Sequence, residues 1–143
     1  MRFRTLLAFL IGLSFLITAG GCTTVREKYP GVQTGQLWTA MKAAAEQPRY
    51  DDWHIRENQV WVDADAKRIE VYRRLHRQLV DPASKSRTEE QTWKFQIWLE
   101  ETDPPKVTFI SRDWAVPAKA RLEADRYFKD VWDLLSGAPV EPN

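Results

Sequence analysis

Most of the residues in this chain that could do chemistry fail on spacing. Cys22 is the only cysteine among 143 residues, so it can form no internal disulfide and no cysteine-rich zinc site. A nucleophilic thiol needs a base and an electropositive pocket, and Cys22 instead lies between an apolar run and a polar stretch. His54 follows Asp51 and Asp52, but the only other histidine, His76, falls on a different predicted strand, so no metal site is expected. Ser111, His76 and Asp113 spell a triad without the strand-to-helix elbow that exposes a nucleophilic serine. The acid pairs Glu89/Glu90 and Glu100/Glu101 are adjacent in predicted strands, so their members point to opposite faces and make no acid–base dyad. "DADAK" (63–67) opens like a calcium loop but lacks its glycine and distal glutamate, and reads as a turn. No glycine-rich loop joins a strand to a helix, which excludes dinucleotide and P-loop sites. No cofactor and no catalytic residue are expected.

One basic cluster remains: Arg73, Arg74, His76 and Arg77. Converging on one point, they would grip a phosphate or carboxylate. The alternative is structural. Arginines at the open end of a core stack on rings such as Phe95 or Trp93 and pair with Glu89, Glu90 or a helix acid.

These residues must be positioned by a sheet and two helices. Charged residues make up 29% and aromatics 12%, a globular composition, and the seven tryptophans imply a core built from large rings. Residues 35–47 read as a helix, with Thr34 as a candidate cap, Pro48 as its stop and an apolar stripe at Leu37, Met41, Ala44 and Ala45. Strand-type residues follow at 52–64, with a bend at Glu57-Asn58, and then at 67–80, 88–101 and 106–114. Pro117 to Ser136 reads as a second helix, with Gly137 at its C-cap. The order α-β-β-β-β-α predicts an α+β fold: an antiparallel sheet of four to five strands flanked by an N-terminal and a C-terminal helix.

In the long hairpin, the alternation sets Trp93, Phe95, Ile97 and Leu99 inward with Ile69, Val71 and Leu75. A turn centred near Ser84 would face Leu75 with Trp93, Val71 with Ile97 and Ile69 with Leu99, and set Arg73 beside Phe95 and Arg77 beside Gln91. The other face then carries Glu70, Tyr72, Arg74, Lys94, Gln96 and Trp98. Tyr72, Arg74, Lys94 and Trp98 form the aromatic and cationic mixture that protein interfaces favour. The competing reading is an ordinary exposed tryptophan, or one covered by a helix or loop.

At the N-terminus, Arg2 and Arg4 precede an uncharged segment with an apolar run of 12 residues from Leu6 to Ile17, followed by "TAGGC". Basic start, short apolar run and small residues describe a secretory signal peptide, although an uncleaved anchor would also fit residues 5–25, all uncharged. The junction "AGGC" resembles the bacterial lipobox, with Ala19 three places before the cysteine, where leucine is commonest. The resemblance implies removal of residues 1–21 and attachment of lipid to Cys22. It also implies an envelope location, on the periplasmic face of the outer membrane in a Gram-negative cell, since Thr23 is not the retaining Asp. Several acyl chains on one residue anchor stably where one does so only marginally.

Without residues 1–21 the chain carries 19 Lys and Arg against 20 Asp and Glu, a balance with no field to draw in nucleic acid. The expected organisation is signal peptide (1–21), lipidated cysteine and short tether (22–35), one α+β domain (36–136) and a Gly/Pro-rich tail (137–143). The expected role is a non-enzymatic binding or assembly module with an envelope protein as partner. The alternatives are a small envelope enzyme or anion-binding protein using Arg73, Arg74, His76 and Arg77, and a carrier with an apolar cavity between sheet and helices.

Overall fold

The structure is a computed structural model that describes residues 22–80, 82, 85–111 and 117–137. Five strands and two helices follow one another as β1 (Thr23–Lys28), α1 (Thr34–Glu46), β2 (His54–Asp63), β3 (Arg68–Leu79), β4 (Arg87–Glu100), β5 (Lys106–Ser111) and α2 (Pro117–Leu135). The strands form one antiparallel sheet in the order β1-β5-β4-β3-β2. The expected α+β architecture is therefore present, and the fifth strand comes from the N-terminal side of α1.

That strand corrects the tether. Residues 23–28 are not a spacer but an edge strand, paired from Thr23↔Ser111 to Lys28↔Lys106. "TTVREK" offers one strong hydrophobe, Val25, so its strand character comes from the edge of β5 rather than from its own pattern. Tyr29, which follows it, is fully buried and stacks on Trp132 at 4.6 Å. Helix α1 starts at Thr34 with Gln33 as N-cap and no side-chain cap, so Thr34 does not cap it. Helix α2 ends at Leu135, and Gly137 just beyond it has a φ of 68°, in the left-handed region that glycine enters without strain.

The β3–β4 register differs from the expected one by two residues. Ile69 faces Ile97, Val71 faces Phe95, Arg73 faces Trp93, Leu75 faces Gln91 and Arg77 faces Glu89. A two-residue slip keeps every side chain on its face, so hydrophobic alternation cannot detect it. The bend expected at Glu57-Asn58 is a bulge one step earlier, between Ile55 and Glu57.

Both helices cover the face that carries Ile69, Val71, Phe95, Ile97, Leu99, Val107 and Phe109. Phe109 is the hub, stacked on Phe95 at 4.6 Å and approached by Tyr127 and Phe128 at 6.3 and 6.5 Å. The Tyr127 hydroxyl donates to the Met41 carbonyl at 2.9 Å and ties the two helices together. Of the seven tryptophans only Trp38 and Trp93 belong to the buried core; Trp53 and Trp132 pack at its margin, Trp98 is half-buried on the other face, Trp61 is exposed, and Trp114 lies outside the described residues. The core is thus ring-built, but mainly from Phe and Tyr.

Candidate functional site

The basic cluster divides because strand residues alternate. Arg73 and Arg77 point to the helix side, and Arg74 and His76 point to the open side. The four do not close on a common anion.

Arg73 is completely buried, and each of its donor nitrogens is used. Nε donates to Asn58 Oδ1 at 2.8 Å, and one terminal nitrogen donates to the Ala45 carbonyl at 2.9 Å. The other donates to the Tyr50 hydroxyl at 2.8 Å and to Glu123 Oε1 at 3.1 Å. The Tyr50 hydroxyl in turn donates to Glu123 at 2.7 Å. Burial, then the neighbouring Glu123 carboxylate, raises the Tyr50 pKa well above the usual phenol range.

The network continues outward along α2. Arg126 stacks over the Tyr50 ring at 4.3 Å and donates to Glu123 at 2.7 and 3.1 Å and to Asp130 at 2.6 Å. Arg49 bridges Asp130 at 2.9 Å and Asp133 at 2.7 Å. Three guanidinium groups thus meet three carboxylates, the outermost of which, Asp133, also takes the exposed Lys129 at 2.8 Å. The network's inner members, Arg73 and Glu123, are buried and fully bonded, and they fix how helix, strand and loop meet; Arg49 and Asp133 at its outer end are partly exposed. The inner pair leaves no free charge for a ligand.

Beside it lies an open groove of about 590 Å³ under the far half of the hairpin. Trp53, Leu75, Trp93 and Leu122 supply its apolar side chains, and Arg77, Glu89 and Lys119 supply polar ones. Arg77 donates to Glu89 at 2.8 and 2.9 Å and lies 4.6 Å over the Trp53 ring. Arg77 lowers the Glu89 pKa below the ordinary carboxylate value.

The opposite face of the sheet is open: no helix or strand among the described residues packs on it. It carries Trp61, Tyr72 and Trp98 amid charged neighbours, as the alternation predicts for Glu70, Tyr72, Arg74, Lys94, Gln96 and Trp98. Trp61, 53% exposed, joins this face from β2, where it is paired with Glu70. Lys94 Nζ lies 5.6 Å over Tyr72, and the Arg68 guanidinium lies 5.4 Å over Trp98. A groove of about 470 Å³ runs between Trp61, Tyr72, Lys94 and Gln96. The Trp98 indole N–H is buried and has no hydrogen-bond acceptor among the described residues.

His54 and His76, separated by the expected strand assignment, are cross-strand neighbours with ring centroids 5.5 Å apart. Glu90, opposite His76, pairs with Arg56 at 2.7 Å, and Glu57 lies 3.8 Å from Arg74. Among the described residues no three His, Cys, Asp or Glu side chains gather as a metal site. Ser111 is buried in β5, and Asp113 lies outside the described residues. Cys22 is exposed immediately before β1. No helix among the described residues is long and apolar enough to cross a membrane. No protein-family model matches the chain, and no curated protein is detectably similar to it.

Proposed function

We propose that this chain is a lipid-anchored envelope lipoprotein whose domain is a non-enzymatic binding or assembly module, presenting its open sheet face to an envelope protein. The observation that carries the reading is that face. Trp61, Tyr72 and Trp98 stand on it with Arg74 and Lys94. Aromatic rings and arginines dominate the energetic centres of protein interfaces. The anchor rests on the sequence from Arg2 to Cys22. The enzyme or anion-binding reading is weakened by the division of Arg73, Arg74, His76 and Arg77 between two faces.

Two experiments test it. A photo-crosslinking residue in place of Tyr72 or Lys94 in intact cells should give one discrete product that Trp61→Ala and Trp98→Ala remove. The same residue in place of Asp125, exposed on α2, should give none. Products that do not depend on the face would count against the interface. Cys22→Ala should accumulate as unprocessed precursor without lipid label, and normal processing of that variant would remove the anchor.

A further inference from the structure

The anchor and the fold meet without slack. Strand β1 begins one residue after Cys22, and Thr23 is level with Ser111 and, through it, with Phe95. Strand β4 starts at Arg87, eight residues before Phe95, and β3 accompanies it to Leu79. At about 3.3 Å per residue the hairpin overhangs Cys22 by about 26 Å. A twist of about 20° per strand across the two steps from β1 to β4 leaves about 20 Å of that along β1. In the other direction β1 itself spans six residues, close to 20 Å.

Cys22 therefore joins the sheet partway along its edge. A bilayer has an interfacial layer of about 6 Å on each side of its hydrocarbon. A sheet standing upright on Cys22 would drive either Arg77, Glu89 and Glu90 or the Lys28 and Lys106 end into hydrocarbon, where charged side chains are strongly disfavoured. The hairpin end also carries exposed apolar groups: Val80 is 78% exposed, and Leu122 of α2, beside the groove there, is 69% exposed. Arg87, paired across the hairpin with Leu79, and Lys85 are exposed, and Arg87 also pairs with Glu89 at 2.7 Å.

We infer that the domain lies on its side on the bilayer, with Val80 and Leu122 at the headgroup–acyl boundary and Lys85 and Arg87 on lipid phosphates. This rests on the anchored reading above. It assigns the hairpin end to the lipid surface and leaves the open sheet face turned along the membrane, toward a neighbouring protein.

The test uses the full chain carrying Val80→Cys, purified from membranes and reconstituted in phosphatidylethanolamine–phosphatidylglycerol vesicles. An acylated Cys22 is closed to thiol reagents, so an environment-sensitive dye reports from position 80 alone. Nitroxide-headgroup lipid should quench it at least threefold more than dye at Glu101→Cys, which lies just past the opposite end of β4. Equal quenching overturns the proposal. Dye uptake at Cys22 in the unsubstituted chain refutes acylation instead. The apolar run from Leu6 to Ile17 then holds the chain, and the same contrast in a Cys22→Ser background decides the hairpin. A chain that does not float with vesicles overturns both readings.

Discussion

Replacing Glu123 with Gln removes one negative charge and little volume, and so isolates what that charge does. Glu123 is only 4% exposed, and its neighbour Arg73 is completely buried. The carboxylate receives Arg73 at 3.1 Å, Tyr50 at 2.7 Å and Arg126 at 2.7 Å. Arg126 retains Asp130 at 2.6 Å, so its charge stays compensated. Among the described residues Arg73 has no other acidic partner; its remaining bonds go to neutral oxygens of Tyr50, Asn58 and Ala45. A buried charge stripped of its partner costs about 3–5 kcal/mol, a large part of the 5–15 kcal/mol typical of a whole domain. At about 4 °C per kcal/mol for a domain of this size, the melting temperature should fall by about 12–20 °C. Circular dichroism melts and urea titration of the wild type and Glu123→Gln measure it. Arg73→Met combined with Glu123→Gln should cost at least about 1.5 kcal/mol less than the two single costs added, because the stranded charge is gone. A Glu123→Gln loss under about 1 kcal/mol would refute the claim that this ion pair holds α2 to the sheet.

Four further outcomes follow from the same geometry. Tyr29, Tyr50 and Tyr127 all have pKa values raised above the usual phenol range, in each case first by burial. Stability from these tyrosines is whole below the unfolded value of about 10 and declines above it, by about 1.4 kcal/mol per pH unit for each. Tyrosinate absorbance should therefore rise together with loss of circular dichroism, and reversible ionisation of all three in a folded domain near pH 10 would contradict this. Glu100 and Asp133 are held below their ordinary values of 4.5 and 3.8, first by Lys106 and Lys129 respectively, so their contribution is whole above those values and lost as the pH falls through the lowered ones. The urea midpoint should drop on acidification from pH 4.5 toward 2, and less so in Glu100→Gln. Phe109→Ala, at the hub of four core rings, should cost about 3–5 kcal/mol by urea titration. Gly137→Ala should cost about 1 kcal/mol through its positive φ alone, since the added methyl meets nothing within 4 Å.

Alternation made most of the sheet legible. Residues 88–101 and 67–75 alternate so cleanly that the inner face of the hairpin follows from the sequence. So does the odd placement of Arg73 on it. Register did not follow, because a shift by two residues changes no side chain's face. Strand β1 was illegible because its cohesion lies in bonds to β5, not in its own residues. The partners of Arg73 were hidden for a related reason. Tyr50 and Asn58 lie in a loop and a bulged strand, and Glu123 is 50 residues away on a helix face that reads as solvent-facing by charge. The same bulge sets His54 beside His76, whereas Trp61 lies in the regular stretch beyond it, between Val60 and Val62, opposite Glu70 on the open face.

The edge position of β1 also has a mechanical consequence. Its six residues run antiparallel to β5, and the chain enters at the Thr23 end. A pull on that entry point along the strand loads the ladder in shear, so that its hydrogen bonds bear the force together instead of opening one by one. The first strand is then a clamp between a pull on Cys22 and the rest of the sheet: the ladder passes the load to β5, and tension reaches Tyr29 and α1, along the chain beyond Lys28, only after that clamp has given way.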